Sequence, residues 1–250
     1  MISAGEIYDF INGIAPFDTA MGFDNAGLLI GGADKASDRV LLALDVTPAV
    51  ISEAEKLGAG IIVTHHPVIF DPLKRLDCRG VPYLAARADI TVISAHTNLD
   101  TARGGVNDTL AELIGVEAKE LFDEDCALLG ELAEELSCTE LAAEIKSRLG
   151  LGGLRYTDCG RKIKRVLVSC GAGGSNISLA RRTGADALIT GEIKHNYIIE
   201  ANSCGTAVFD LGHYGSEKHI VPKLKGLLEE RFPGTEFIRA AADTDGVMYI

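Results

Sequence analysis

Ala59-Gly60-Ile61-Ile62-Val63-Thr64-His65-His66-Pro67 is the stretch on which the fold turns. Ile61 to Thr64 is short and β-branched, and Gly60 and Pro67 bound it, so it reads as a buried strand. Pro67 has no N–H to give to a ladder, so the strand stops before it. His65 and His66 then sit at the carboxyl end of a buried strand, where open α/β sheets place their ligands. Side chains at i and i+1 on a strand diverge, so adjacent imidazoles suit two metal ions better than one. The plainer reading is a pair of surface histidines on a loop. His-His-Pro at a strand end favours metal ligation.

Working outward, Val40 to Val46 predicts another buried strand. A helix over Pro48–Leu57 follows, with Thr47 as its N-cap and Gly58 as its stop. This strand–helix–strand unit is expected to be parallel and right-handed. Thr91 to Ala95 predicts a further strand, running into His96-Thr97-Asn98-Leu99-Asp100. Tyr83 to Arg87 and Asn107 to Leu113 read as helices, with Asn107 as a cap. At the amino end, Ser3-Ala4-Gly5-Glu6 is a capping box for a helix that ends near Pro16. Phe23-Asp24-Asn25-Ala26-Gly27 is turn chemistry leading into an edge strand.

The unit recurs. Residues 39–64 align without a gap on 165–190, an offset of 126. The identities are Arg39/Arg165, Val40/Val166, Leu41/Leu167, Ile51/Ile177, Ser52/Ser178, Ala54/Ala180, Gly58/Gly184, Ala59/Ala185 and Thr64/Thr190. Identity in register on one structural pattern indicates duplication. The expected fold is therefore α/β: two similar lobes, residues 1–125 and 126–250, with a metal site in the cleft between them. In the second copy the strand runs into Gly191 and Glu192, with Lys194 and His195 just beyond. The next strand, Ala207 to Leu211, leads to His213 and Glu217, spaced by four like His96 and Asp100.

His65, His66, His96, Asp100, His195, His213 and Glu217 thus lie at or just past strand ends. A histidine–carboxylate set suits zinc, manganese, iron(II) or cobalt. Two such cations about 3.5–4 Å apart would hold a bridging water and lower its pKa toward neutrality, giving a hydroxide nucleophile. His96 reads as a partner orienting Asp100, and His219 as a bystander. Glu192 and His195 are candidate proton carriers, with polar rim residues as the plain alternative. Gly171-Ala172-Gly173-Gly174-Ser175 has the setting of a phosphate cradle. It lacks the Lys-Ser/Thr of a P-loop, so an ordinary strand-to-helix turn is favoured.

The 250 residues are 47% hydrophobic and 24% charged, which is enough for a large core. A net charge of −12 argues against nucleic acid or an anionic membrane as a default partner. There is no Trp, so base-stacking platforms are not advertised. No apolar run approaches the roughly eighteen residues of a membrane helix, and the amino terminus lacks a signal-peptide pattern. The six cysteines form no Cys-x-x-Cys pair, so reduced thiols in a cytoplasmic protein are expected, with neither a disulfide framework nor a zinc knuckle. The acidic stretch around Glu131, Glu134 and Glu135 reads as a solvated face, an edge strand or a loop, before an amphipathic helix over Glu140–Leu149.

Phe23-Asp24-Asn25-Ala26-Gly27-Leu28, Thr64-His65-His66-Pro67, His96-Thr97-Asn98-Leu99-Asp100, Gly105-Val106-Asn107, Thr190-Gly191-Glu192 and Gly212-His213-Tyr214-Gly215-Ser216-Glu217 together resemble the Nif-three-like family. Its members are often catalogued as homologues of a type-two GTP cyclohydrolase I. The resemblance covers nearly the whole chain and implies a dinuclear metal centre. Carried over by motif, His66 and Asp100 would hold one metal, His65 and His213 the other, and Glu217 both. It also implies a ring-shaped homohexamer and a small-molecule substrate such as a nucleotide. Residues 121–165 are too few for the domain that longer relatives insert. Phe23 stands where the family usually has Trp, and Asn196 where a second His is common.

The reading that follows is a metal-dependent hydrolase with two divalent ions (Zn, Fe, Mn or Co) per chain. It would open the imidazole ring of GTP with release of formate. The alternatives are a metallohydrolase of phosphoesters or amides and a non-catalytic metal-dependent scaffold. Fold alone does not transfer a reaction.

Overall fold

A computed structural model describes residues 1–250. The chain forms two compact units. Residues 1–102 and 220–244 make the first, and 103–219 and 245–250 the second. The division therefore does not fall at 125/126. Val116–Phe122 pairs antiparallel with Ala127–Leu136, which ties it to the second sheet. Glu236–Arg239 pairs parallel with Arg39–Ala43, which returns the carboxyl-terminal region to the first.

The first unit holds a five-stranded sheet in the order Glu236–Arg239, Arg39–Ala43, Ile61–Thr64, Thr91–Ser94, Gly27–Ile30. Its last strand follows the Asp24-Asn25 turn and is the expected edge strand, and it pairs antiparallel. The second unit holds six strands in the order Val116–Phe122, Ala127–Leu136, Ile163–Ser169, Ala187–Thr190, Ala207–Asp210, Arg155–Tyr156. No helix is long and apolar enough to cross a membrane.

The repeat is structural. Val40 pairs with Ile61 and Ala43 with Thr64; at an offset of 126, Val166 pairs with Ala187 and Ser169 with Thr190. The helices Pro48–Leu57 and Ile177–Thr183 end on Gly58 (φ 68°, ψ 28°) and Gly184 (φ 68°, ψ 29°). Both glycines are left-handed, a conformation a β-carbon would penalise. Beyond each cap the same backbone bond closes, Ala59 N–H to Ala54 and Ala185 N–H to Ala180, both at 2.9 Å.

Alternation along the strands builds the cores. In the second unit Val166 and Val168 face one apolar cluster and Leu167 the other, so helices cover both faces of the sheet. Leu41, Ile62 and Val92 are fully buried in the first unit. Trimming Leu41 or Ile62 to alanine costs about 2–4 kcal/mol of stability.

Local signals set the helix ends. Ser3 and Glu6 close a capping box on Ala4–Ile14, and Ser137 and Glu140 another on Cys138–Leu149. Asn107 is not a cap. It lies inside the helix Val106–Ile114, buried, where Nδ2 donates to Cys126 O at 3.0 Å and Oδ1 accepts from Cys170 N at 2.9 Å. Residues 131–136 are neither edge nor loop. They complete Ala127–Leu136, which is paired on both sides, with Glu131 opposite Arg165 and Glu117.

Candidate functional site

In the first unit, sheet-like bonding continues past the His-His strand. His65 N–H reaches Ala43 O at 3.4 Å and His66 N–H reaches Leu44 O at 3.0 Å, while Thr64 Oγ1 donates to Leu44 O at 2.7 Å. The two histidines are therefore held by the sheet, not by a free loop. His65 is buried, and its Nδ1 lies 2.7 Å from Ala95 O. A carbonyl only accepts, so Nδ1 carries the proton and Nε2 presents its lone pair. Nε2 faces Asp100 Oδ1 at 3.5 Å. His66 Nδ1 donates to Asp45 Oδ1 at 2.8 Å.

His96 follows the same rule with a different partner from the one expected. Its Nδ1 donates to Asp24 Oδ1 at 2.8 Å, and only its backbone carbonyl meets Asp100, accepting Asp100 N–H at 3.0 Å. His96 thus does not orient the Asp100 carboxylate through its ring. The potential ligand atoms of His65, His66 and His96 lie within 4.8 Å of one another, so His96 stands among the candidate ligands. Asp100 sits on the short helix Thr97–Thr101. Asn98 braces it by accepting His96 N–H at 2.9 Å and donating to Ala15 O at 2.8 Å.

Asp24 was legible only as a turn residue. Its Oδ2 also accepts Thr97 N–H at 3.0 Å and Thr97 Oγ1–H at 2.5 Å. Burial opposes its ionisation, but the hydrogen bonds from His96 and Thr97 outweigh that and hold its pKa down to about 2. Neighbouring Asn25 donates from Nδ2 to Ile69 O at 2.6 Å, fixing the loop after Pro67.

In the second unit, His213 opens the short helix His213–Glu217. Its Nδ1 donates to Glu192 Oε1 at 2.9 Å, and Nε2 stands 3.2 Å from Glu217 Oε2. Glu217 is buried. Gly171 (φ 58°) lies against this pair: a β-carbon there would stand 2.3 Å from Glu217 Oε1 and 3.2 Å from His213 Nε2. Ser216 Oγ takes Gly171 N–H at 3.1 Å and donates to His213 O at 2.8 Å.

The glycine stretch is a packing turn. A β-carbon on Gly173 would meet Ser169 Oγ at 2.2 Å, and one on Gly174 would meet Glu192 O at 2.6 Å. His195 begins the helix His195–Cys204, is exposed, and makes no side-chain hydrogen bond or ion pair. His219 is buried with Nε2 3.1 Å from Val106 O, the place of a structural histidine.

Sheet register also revises the spacing analogy. Ile61 pairs with Thr91 and Ala187 with Ala207, so the strands and the helices behind them match at an offset of 116. Thr97–Thr101 then corresponds to His213–Glu217. His96 falls opposite Gly212, not His213.

The family model for Duf34/NIF3 (NGG1p interacting factor 3) matches residues 2–245. The chain belongs to this family. It is 34% identical to a Clostridium perfringens protein named GTP cyclohydrolase 1 type 2 homolog, with 98% of each chain covered. Among solved structures, Staphylococcus aureus hypothetical protein SA1388 matches with a TM-score of 0.88 and 28% identity, over 100% of this chain and 99% of that one. Reduced HcgD from Methanocaldococcus jannaschii matches with a TM-score of 0.84 and 31% identity, over 96% and 98%. Duf34/NIF3 membership agrees with the two α/β units and the motifs that end their strands.

The donor chemistry fits metal ions. Each of four histidines commits Nδ1 to an oxygen acceptor: Ala95 O for His65, Asp45 for His66, Asp24 for His96 and Glu192 for His213. That arrangement leaves Nε2 as the electron-pair donor, with the other ring N–H held by oxygen as it is in metal-ligating histidines. The Gly171 cradle keeps the space beside Glu217 and His213 free of a side chain.

Proposed function

We propose that this Duf34/NIF3 chain is a metal-dependent hydrolase holding two divalent ions, acting on a nucleotide in the manner of GTP cyclohydrolase. The observation that carries the reading is the common orientation of His65, His66, His96 and His213, each with Nδ1 tied to oxygen. In this reading His65, His66 and Asp100 from the first unit, with His213 and Glu217 from the second, supply the ligands, and His96 is a further donor in the first unit. Bound metal ions would supply Lewis acidity and an activated water.

The chain's own residues have separable tasks. Asp45, Asp24 and Glu192 hold imidazoles in one tautomer. Glu192 therefore acts through His213, which leaves His195 as the proton carrier able to turn toward substrate. Phe23 and Phe70 are both exposed, with ring centroids 6.3 Å apart, and Phe70 stands edge-on to His96 at 6.2 Å. Two such faces beside a polar cluster suit a flat heterocycle, which supports a nucleotide base over a simple phosphoester. The names of the relatives point the same way.

The test is formate release from GTP by protein shown to carry two metals per chain, beside Glu217→Gln. Formate from the wild type alone supports the reading. No formate from fully metallated protein rejects the cyclohydrolase activity, and turnover of a phosphoester or amide in that preparation would replace it. Metal binding with no turnover on any of these substrates would make the protein a scaffold. The same reading carries a ring-shaped homohexamer, whose sixfold mass light scattering measures.

A further inference from the structure

Cys138 and Cys159 are 21 residues apart, yet their sulfurs stand 3.8 Å from each other. The Asp158 carboxylate joins them, and the three donor atoms lie within 4.8 Å of one another. All three belong to the second unit and to none of the motifs discussed above. Cys138 is buried at the first residue of the helix Cys138–Leu149. Asp158 and Cys159 follow the edge strand Arg155–Tyr156, in a turn fixed by Gly160 (φ 71°), whose N–H donates to Asp158 Oδ1 at 2.8 Å.

We propose that Cys138, Asp158 and Cys159 form a second metal site, of the zinc-thiolate class, separate from the histidine–carboxylate sets. Two sulfurs each about 2.3 Å from one tetrahedral zinc stand about 3.8 Å apart. That is the separation observed here. A disulfide would draw the sulfurs to about 2.05 Å and would have no use for a carboxylate. Two thiolates and one carboxylate make a soft, trianionic donor set that favours zinc over magnesium or calcium. Three protein donors leave a fourth position to water, and Asp158 is exposed, so ions can enter.

The surroundings are consistent. The next two cations along the chain are engaged elsewhere, Arg161 with Asp186 and Lys162 with Glu140, so neither neutralises Asp158. Burial pushes the Cys138 thiol up, so it is protonated near neutral pH in metal-free protein. Coordination converts both thiols to thiolates and releases their two protons to solvent.

Cobalt(II) is the probe, because thiolate-to-cobalt charge transfer absorbs in the near ultraviolet and histidine–carboxylate ligation does not. Full-length protein, with its thiols reduced and counted, is titrated with cobalt(II). A charge-transfer band that saturates with a single ion, is lost in Cys159→Ser and persists in Cys204→Ser is expected. Cys159 is only half-buried, so its variant folds even if Cys138→Ser, in the core, does not. Asp158→Asn should keep the band but need more cobalt to saturate it. No band from fully reduced protein, or a band that survives Cys159→Ser, overturns the proposal. So does a Cys138–Cys159 disulfide in protein isolated without air. Loss of the proposed hydrolase activity would leave this band untouched, so the two readings fail separately.

Discussion

Asp24 accepts a hydrogen bond from His96 Nδ1 at 2.8 Å across 72 residues of chain. The two come from different loops, and Thr97 N–H and Oγ1–H hold the other carboxylate oxygen. The carboxylate is ionised across the neutral range, since its pKa is held near 2. It therefore acts as a fixed acceptor that aims the far nitrogen of His96 at His65 and His66.

Asp24→Asn should lower metal affinity about tenfold, the usual cost of losing a group that orients a ligand. Elemental analysis after dialysis against a graded chelator measures this. The circular dichroism spectrum should keep its shape. Metal retention equal to the wild type would remove His96 from the centre.

Gly171→Ala tests the cradle. The backbone there is left-handed, and the new methyl would press on Glu217 Oε1. A destabilisation of more than about 1 kcal/mol is expected from the backbone alone, with loss of metal in addition. Gly184→Ala shares the left-handed cost but meets nothing within 4 Å. It should lower the melting temperature and leave metal content intact.

Glu192 is a support for His213 in this reading, and its variants test that role against proton transfer. Gln keeps an oxygen to accept from His213 Nδ1; Ala does not. For a support, Glu192→Ala loses metal while Glu192→Gln retains most metal and activity. For a proton carrier, Glu192→Gln stays metallated and is inactive, with the alkaline-rising limb of its pH–rate profile abolished.

Asp186 gives stability a pH dependence away from any metal. Burial raises its pKa, but the N–H groups of Arg165 and Lys164, at 2.8 and 3.0 Å, and the Arg161 guanidinium bring it below the ordinary value. A carboxyl lowered on folding stabilises fully above its unfolded pKa, about 3.9. That contribution is lost as pH falls through the lowered folded value. Urea unfolding should show Asp186→Asn about 2 kcal/mol weaker at pH 6. The gap to the wild type should narrow below about pH 4.

Much of this was written locally in the sequence. Ser3 with Glu6, Thr47 with Pro48, and Gly58 mark helix ends within a few residues, and the structure places those ends there. The duplication was legible because identical residues keep identical strand partners. Roles that depend on distant loops were not legible. Nothing near Asp24 announces His96, and nothing near Cys138 announces Cys159. Asn107 looks like a cap by type, but two backbone groups far along the chain claim its side chain. The even spacing of His96–Asp100 and His213–Glu217 misled, because strand pairing, not residue type, decides which positions correspond.

The first unit's sheet is finished by Glu236–Arg239, where Arg39 Nε meets Glu236 Oε2 at 2.7 Å across 197 residues. On the ribosome, that strand is made only after residues 39–219 have been made. Residues 103–219 emerge as one run and can close their own sheet, while Arg39–Ala43 waits with one flank bare. The sheet begun first is therefore finished second. A chain broken off after residue 219 carries an open parallel edge, the kind of surface that recruits a strand from another molecule.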